Sequence, residues 1–263
     1  MKKIYLSPLE QEVYGLLRKN SSQTISSDAV KGLFPEKTPS SLNKICSHLA
    51  QKGYLYRLKR NLYLIQDIPS EKPIINDPIL LAQQIFPGYI SFLSALRIYD
   101  LIDYEPFTIF VATKEKSIEL HLGEYLFKYI SLGEKARGTT HHKGVYISTL
   151  EKTFFDCFCR PQNAGGYSTL TKAFYLNKKI DWKTFTSYFQ RYSSNTLHQR
   201  TGYVLDLLAT KTDKKIPVKV LNYFHGKQKT KARLLPIQKT RGTYNRKWGI
   251  TDNLGPKNIL SWW

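Results

Sequence analysis

The stretch TPSSLNKICSHLAQKGYLYRLKRNLYLI, from Thr38 to Ile65, decides the fold of the first part of the chain. Thr38 can cap a helix, Pro39 suits its first position, and Gly53 suits the left-handed position that follows a helix. One apolar stripe at helical spacing is formed by Leu42, Ile45, Cys46 and Leu49. Beyond Gly53, apolar and polar residues alternate until residues 59–61, which predicts two strands joined by a basic turn.

Two further helix starts precede this stretch. Ser7 and Glu10 form a capping box, with a proline at the first helical position. A second, shorter helix begins near Ser26 and is stopped by Pro35. Three short helices and a two-stranded ribbon within about 60 residues are typical of a winged helix-turn-helix. We therefore expect residues 1–66 to form a winged-helix DNA-binding domain.

The third helix and the ribbon hold the side chains that would meet DNA. A recognition helix lies in the major groove, where asparagine suits adenine, and basic residues of a ribbon reach the phosphates. The expected DNA contacts are Thr38, Ser40, Ser41, Asn43, Lys44, Ser47 and His48 on the helix, and Arg57, Lys59, Arg60 and Asn61 in the ribbon. The alternative is a protein-interaction module, since winged helices also serve in that way.

The charge of the chain favours a polyanionic partner. Its formal net charge is +20, of which residues 1–70 hold +6 and residues 211–263 hold +11. Near the C-terminal end, basic residues alternate with others, and Tyr244 and Trp248 lie among them. This secondary basic surface comprises Lys227, Lys229, Lys231, Arg233, Arg241, Arg246 and Lys247. The row suits a nucleic-acid backbone, although a solvated face would have the same composition.

The rest of the chain predicts a linker and a larger domain. Residues 67–78 hold three prolines and little periodicity, which is typical of a semi-rigid linker. Residues 79–263 mix helical and strand patterns in segregated order, so the fold class is α+β. Predicted helices cover 79–85, 89–102, 148–160, 182–192 and 196–208, the third opened by a capping box at Ser148-Thr149-Leu150-Glu151, and a further helix begins near Thr169. Predicted strands cover 107–113, 117–122, 127–132 and 144–148, and residues from 211 onward are expected to be short strands and loops.

An ordered set of segments resembles the AbiEi family of antitoxins and transcriptional regulators. The segments are the basic-tipped ribbon, YISFLSALRIYDLI, STLEKTFFDCFCRPQNAGGYSTLTKAF, RTGYVLD and NRKWGI. The resemblance implies a winged-helix domain that represses its own operon at inverted repeats. It also implies a C-terminal domain that counteracts a neighbouring nucleotidyltransferase-like toxin without a stable complex, in a type IV toxin–antitoxin system linked to phage defence. Asn61 stands where the family usually has glycine, and asparagine tolerates the same left-handed turn.

The sequence shows no pattern typical of an enzyme or a cofactor site. It has no phosphate-binding glycine loop or dinucleotide fingerprint. We expect His141 and His142 to be an exposed polar pair in a loop rather than, with His121, a metal site. We expect Lys152 to lie in solvent and Asp156 to be partly buried beside a base. Metal-dependent nucleases need an acid on one strand and a Glu-x-Lys pair on the next, and that pattern is absent. Three cysteines without metal spacing, Cys46, Cys157 and Cys159, favour neither disulfides nor zinc.

The function expected from the sequence is therefore a non-enzymatic, cytoplasmic DNA-binding repressor that acts as an antitoxin. No apolar run is long enough for a membrane span. Its partners would be double-stranded operator DNA and, functionally, the nucleotidyltransferase-like toxin. The alternatives are a protein-interaction module or an RNA-binding protein, with a nuclease as the enzymatic rival.

Overall fold

The computed structural model describes residues 5–20, 23–226, 230–238 and 240–263. The chain divides into two compact units. The first unit comprises Met1–Pro87 and Glu119–Phe127, and the second comprises Gly88–Ile118 and Lys128–Trp263. Residues 67–87 thus belong to the first unit, whereas the sequence analysis assigned 67–78 to a linker and 79–87 to the C-terminal domain.

Among the described residues, the part of the first unit before Gly88 has four helices and a small antiparallel sheet. The elements are α1 (Pro8–Asn20), β1 (Thr24–Ser26), α2 (Ser27–Leu33), α3 (Pro39–Gln51), β2 (Leu55–Lys59), β3 (Leu62–Ile65) and α4 (Pro78–Ile85). The sheet has the order β1-β3-β2, so β3 lies between its two neighbours. The linker segment is tied to this unit, because the backbone N–H of Ile74 donates to the side chain of Gln66 at 2.7 Å.

The predicted helix caps of the first unit are confirmed. The Ser7 N–H donates to Glu10 Oε2 at 2.7 Å, and the Glu10 N–H donates to Ser7 Oγ at 3.3 Å, which completes the capping box. Thr38 caps α3 by accepting from the Ser41 N–H. The apolar stripes of α1 and α3 meet in a shared core of Val13, Leu17, Ile25, Val30, Phe34, Leu42, Ile45, Cys46, Leu49, Leu55 and Tyr63.

The remaining chain alternates strands and helices without a regular βαβ repeat. Its strands are β4 (Tyr89–Ile90), β5 (Thr108–Thr113), β6 (Ile118–Leu122), β7 (Tyr125–Ser131), β8 (Thr139–His142), β9 (Val145–Ser148), β10 (Ala232–Arg233), β11 (Thr243–Asn245) and β12 (Ile250–Asp252). Its helices are α5 (Phe92–Ile98), α6 (Leu150–Cys159), α7 (Gly166–Leu176), α8 (Trp182–Tyr192), α9 (Asn195–Lys211), α10 (Val218–His225) and α11 (Pro256–Ile259). Within the second unit, strands pair in the orders β5-β4-β9-β8 and β10-β12-β11.

The α+β class predicted from the sequence is confirmed, and α8 spans the predicted residues. Four local predictions were wrong. Tyr89–Ile90 is a strand rather than the start of a helix, and α10 lies where only strands and loops were expected. His141 and His142 lie on β8 rather than in a loop. Thr149 caps α6, while Glu151 accepts from the Asp181 N–H at 3.0 Å instead of closing a capping box.

Aromatic rings fill the core of the second unit around α6. Phe154, Phe155 and Phe158 are buried on this helix. Phe155 packs edge-on against Phe189 with ring centroids 5.0 Å apart. Among the described residues, no helix combines the length and apolar composition that a bilayer span requires.

A tight glycine–tryptophan contact joins α9 to the residues before β12. Gly202 lies in α9, and a Cβ atom added there would overlap the ring of Trp248. Trp248 is only 1% exposed, so its ring cannot move toward solvent without opening the core. Glycine weakens a helix interior by about 1 kcal/mol relative to alanine, and here it makes room for the largest side chain.

An ion pair lies inside this aromatic core. Lys152 and Asp156, one helical turn apart on α6, form a salt bridge although both side chains are 0% exposed. The Lys152 ammonium also donates to the Tyr89 hydroxyl at 3.0 Å and lies 5.4 Å from the ring centroid of Phe155. Burial raises the pKa of the Asp156 carboxyl, and the Lys152 charge opposes that rise. The prediction that Lys152 lies in solvent was wrong, because its stem and its ammonium both have partners in the core.

The same ion pair accounts for the irregular start of α5. Ser91 occupies the N-cap position but makes no cap hydrogen bond, since its hydroxyl donates to Asp156 Oδ2 at 2.8 Å. The next residue, Phe92, has φ 53°, a conformation that a bulky side chain rarely adopts. Phe92 is fully buried and packs edge-on against Phe110. Packing and the bond from Ser91 hold this turn in place.

We expect Lys152→Met to lower the free energy of unfolding of the second unit by about 3–5 kcal/mol, because Asp156 would stay buried without its cation. Urea denaturation followed by tryptophan fluorescence measures this, since Trp182, Trp248, Trp262 and Trp263 all lie in the second unit. Lys152→Met combined with Asp156→Leu should recover most of the loss. Lys179→Met, at an exposed lysine, is the control, and an equal loss there would contradict the explanation.

Candidate nucleic-acid interface

Helix α3 has one buried face and one exposed polar face. Leu42, Ile45, Cys46 and Leu49 are each at most 6% exposed and fix the apolar face in the core. The exposed residues of the helix that can hydrogen-bond are Ser40, Asn43, Lys44, Ser47, His48 and Gln51, and Ser41 is half-buried beside them. The helix contains no acidic residue. A phosphate or a base edge near this face would therefore meet donors and no carboxylate of the helix.

The predicted residues at the start of α3 divide into two roles. Thr38 is exposed, but its hydroxyl oxygen accepts from the Ser41 N–H at 3.3 Å. Ser40 and Asn43 form no side-chain hydrogen bond or ion pair within the described part of the chain, so their polar groups remain available. Cys46 lies in the core as predicted, and burial raises the pKa of its thiol to about 11.

The β2–β3 turn has the expected geometry. Asn61 adopts φ 63°, the left-handed conformation that the sequence analysis assigned to it. Its carbonyl accepts from the Ser27 N–H at 3.1 Å, which ties the turn to the start of α2. Arg57, Arg60 and Asn61 are exposed, and neither arginine forms an ion pair with any described residue. Two free guanidinium groups therefore lie on this hairpin.

Lys59, unlike Arg57 and Arg60, has partners within the protein. The sequence analysis placed it at the tip with Arg60, in contact with DNA. In the structure its ammonium donates to the backbone carbonyl of Ile85 and lies 4.8 Å from the ring centroid of Phe86. Lys59 thus fastens the hairpin to the end of α4, a contact between residues 26 positions apart that sequence patterns do not reveal.

One carboxylate lies near the end of the α3 face, and a lysine neutralises it. Glu10 Oε2 accepts from the Lys52 ammonium at 2.6 Å, and Glu10 Oε1 lies 3.6 Å from Nδ1 of His48. The hydrogen bond from Lys52, followed by that from the Ser7 backbone, holds the pKa of Glu10 below its ordinary value. The sequence analysis missed Lys52, whose position after α3 gave no sign of a partner in α1.

The predicted secondary basic surface lies only partly within the described residues. Lys227 and Lys229 lie outside the described residues. Lys231 is exposed, and Arg233 donates to the Gln238 carbonyl at 3.1 Å. Residues on alternate positions share a face only where the chain is a strand, and the strand in this segment is two residues long, Ala232–Arg233. A shared face for the four alternating basic residues is therefore not visible in the described residues.

The remaining members of that surface are only partly available. Arg241 and Arg246 are exposed, whereas Lys247 forms an ion pair with Asp206 at 2.8 Å. Trp248, expected among them as a stacking platform, is a core residue whose indole N–H donates to the other oxygen of Asp206 at 2.8 Å. Tyr244 is 46% exposed. The expectation of interleaved aromatics was wrong for Trp248 because its ring packs against Gly202.

Neither a metal site nor an accessible catalytic group is formed by the residues flagged in the sequence. His141 and His142 are exposed, as expected, and His121 is exposed as well. Among the described residues, no group of three or more histidine, cysteine, aspartate or glutamate side chains could hold a metal ion. Asp156, expected to be partly buried beside a base, is fully buried, and that base is Lys152.

Comparisons with known proteins support the fold. The crystal structure of the RV2827C protein from Mycobacterium tuberculosis is similar over 97% of this chain and 95% of that chain, with a TM-score of 0.68 and 15% sequence identity. At this identity the likeness establishes a shared α+β fold. A comparison of the sequence with protein-family models and with curated proteins finds no match.

We expect Asn61→Gly to leave the stability of the first unit unchanged or slightly higher, since glycine adopts a positive φ freely. Asn61→Val should lower the free energy of unfolding by about 1–2 kcal/mol, because a β-branched residue is strained there. Thermal unfolding followed by far-ultraviolet circular dichroism measures both. Arg60→Val, at an exposed neighbour without a positive φ, is the control. An equal loss of stability in Asn61→Val and Arg60→Val would show that β-branching, and not the positive φ at position 61, causes the effect.

The Glu10–Lys52 ion pair predicts a pH dependence. Since the folded pKa of Glu10 is depressed, its contribution to stability is present above the ordinary value of 4.5 and is lost as pH falls through the lower folded pKa. Glu10→Gln should therefore cost about 1 kcal/mol near pH 7 and little in strong acid. The circular dichroism transition should shift, while tryptophan fluorescence should not. Glu12→Gln, at an exposed position on α1, should change neither, and an equal effect there would refute the assignment.

Proposed function

We propose that the first unit is a winged helix that binds double-stranded DNA, with α3 in the major groove and the β2–β3 hairpin as the wing. The element order α1–β1–α2–α3–β2–β3 and the sheet order β1-β3-β2 support this assignment. The observation that carries the proposal is the acid-free polar face of α3, exposed along a helix whose opposite face is sealed in the core.

The chemistry of that face suits base edges and phosphates. Asn43 can donate and accept at once, which matches the adenine edge in the major groove, while serine hydroxyls suit several bases. Lys44 is exposed and forms no ion pair with a described residue, so it can reach a phosphate or a guanine. We assign sequence discrimination to Asn43 and general affinity to Lys44.

The wing supplies phosphate contacts through Arg57 and Arg60. Both guanidinium groups are exposed and unpaired among the described residues, and arginine matches phosphate with paired hydrogen bonds. Lys59 acts differently in this proposal, since its ammonium anchors the hairpin to the carbonyl of Ile85. This division revises the expectation that all three basic residues of the hairpin touch DNA.

We propose further that DNA binding represses the protein's own operon and that the protein is a cytoplasmic, non-enzymatic antitoxin. The ordered segments that resemble the AbiEi family support this role. Inverted repeats upstream of the operon would be the DNA target. A nucleotidyltransferase-like toxin encoded next to it would be the functional partner, without a stable complex. The identity of the neighbouring reading frame is the first check.

Gel shifts with the DNA upstream of the gene test the binding assignment. Asn43→Ala should weaken binding to this DNA by roughly 5- to 150-fold and leave binding to unrelated DNA unchanged, because it removes a base contact. Arg57→Ala with Arg60→Ala should weaken both and reduce the salt slope by about 1.8, as two phosphate contacts are lost. Lys178→Ala with Lys179→Ala, two exposed lysines of the second unit, is the matched charge control.

Three outcomes would contradict the proposal. Unchanged affinity and salt slope in the Arg57 and Arg60 double variant would remove the wing from the interface. Stable co-purification with the neighbouring gene product and no shift of any DNA would favour a protein-interaction module. A preference for structured RNA over duplex DNA would favour an RNA-binding protein.

A further inference from the structure

The second unit contains a cavity of about 590 Å³ that the proposed function does not use. Its walls come from the end of α6, the turn before α7, the first turn of α7, α9, the segment after β10, and Leu254 with Asn258 at α11. Apolar atoms dominate the lining, and the apolar residues there include Phe158, Pro161, Tyr167, Leu234, Pro236 and Ile237. A volume in this range suits a small organic molecule.

Arg200 is the one charged side chain among the described residues that line the cavity. Its Nε donates to the carbonyl of Arg233 at 2.8 Å, which fixes one edge of the guanidinium. Within the described chain, Arg200 forms no ion pair, and its two terminal nitrogens donate to no described acceptor. The free edge of a planar cation is thus left beside an apolar cavity.

Arg200 has no negatively charged partner among the described residues around it. Arg200 is half-buried, and desolvation lowers its pKa. Burying a cation without a counter-charge is unfavourable, so such groups are normally paired. None of the described residues that line the cavity is an aspartate or a glutamate. The chain as a whole carries a net charge of +20. An anion supplied from solution would restore the missing partner.

We propose that this cavity binds a small organic anion, a single carboxylate or phosphate joined to an apolar body. The free edge of Arg200 would take the anionic group through paired hydrogen bonds, and the apolar walls would cover the rest. The first turn of α7 also lines the cavity, and its N-cap, Gly165, has no side chain to occupy the N–H groups there. The site lies wholly in the second unit and does not depend on DNA binding by the first.

Two fluorescent probes of similar shape test this site in the full-length protein. One is 8-anilinonaphthalene-1-sulfonate, an anion with an apolar body, and the other is N-phenyl-1-naphthylamine, which lacks the charge. Arg200→Met should weaken binding of the anionic probe at least about tenfold and leave the neutral probe unchanged. Arg191→Met, at an exposed arginine on α8 outside the cavity, should leave both unchanged. Equal loss in both variants, or no loss in Arg200→Met, overturns the proposal.

A second pair of variants covers the case in which Arg200→Met fails to fold. Ile237 lines the cavity and is 90% exposed, so Ile237→Glu adds a negative charge at the rim without disturbing the core. It should weaken binding of the anionic probe several-fold more than binding of the neutral probe, which loses only an apolar contact at the rim. Val218→Glu, at a 71% exposed residue outside the cavity, is its control and should change neither. The same loss in both glutamate variants would show a general charge effect and refute the site.

Competition with the anionic probe defines the head group. Octanoate and octyl phosphate each carry one anionic group on an apolar chain, and octanol is the neutral analogue. Displacement by either anion and not by octanol supports the proposal and shows which head group is preferred. Displacement by octanol as effective as by the anions, or by none of the three, contradicts it.

Discussion

The second unit depends on a buried ion pair that its aromatic core must accommodate. Taking Lys152 and Asp156 out of water costs several kcal/mol per ion, which close approach and extra hydrogen bonds offset. Those bonds come from Tyr89 and Ser91, residues that precede α5, so the pair joins strand β4, the start of α5 and helix α6. The strained turn at Phe92 lies next to Ser91 and is fixed by the same contacts. Each polar group of this buried network needs its hydrogen-bond partner, because an unpaired one would be costly there. The network therefore favours one arrangement of these three elements.

The basic residues of the chain divide between architecture and recognition. Lys52 neutralises Glu10 and Lys152 lies in the core, so neither charge is free for a polyanion, and the Lys59 ammonium is bound to a backbone carbonyl. Arg57 and Arg60 on the hairpin remain unpaired among the described residues. A net charge of +20 therefore overstates the electrostatic surface offered to nucleic acid. Whether a basic side chain has a partner inside the protein depends on contacts between residues that are far apart in the sequence.

Local signals in the sequence predicted local structure well. The caps at Ser7 and Thr38, the apolar stripe of α3 and the left-handed turn at Asn61 depend on residues close in the chain, and the structure has all of them. The α+β class followed from the same patterns. Contacts across the chain were out of reach, because neither Lys59 with Ile85 nor Trp248 with Asp206 is encoded in a spacing.

The misassigned residues share a physical cause. Lys152 and Trp248 are amphipathic, and long side chains of this type can bury their apolar part wherever a partner meets the polar end. Sequence reasoning treated Lys152 as solvated and Trp248 as a surface platform, whereas each found a buried carboxylate or a core contact. The candidate cavity at Arg200 was missed for a related reason, since its walls come from segments far apart in the sequence.

The contact between Gly202 and Trp248 has a consequence for how this sequence can change. No side chain can be added at 202 while the indole ring fills that space, and a smaller residue at 248 would leave a void beside α9. A larger residue at 202 alone, or a smaller one at 248 alone, should therefore lower stability. Only both changes together, with volume added at 202 and removed at 248, would restore the packing. Among diverging relatives these two positions should covary, with tryptophan at 248 restricted to chains that keep glycine at 202.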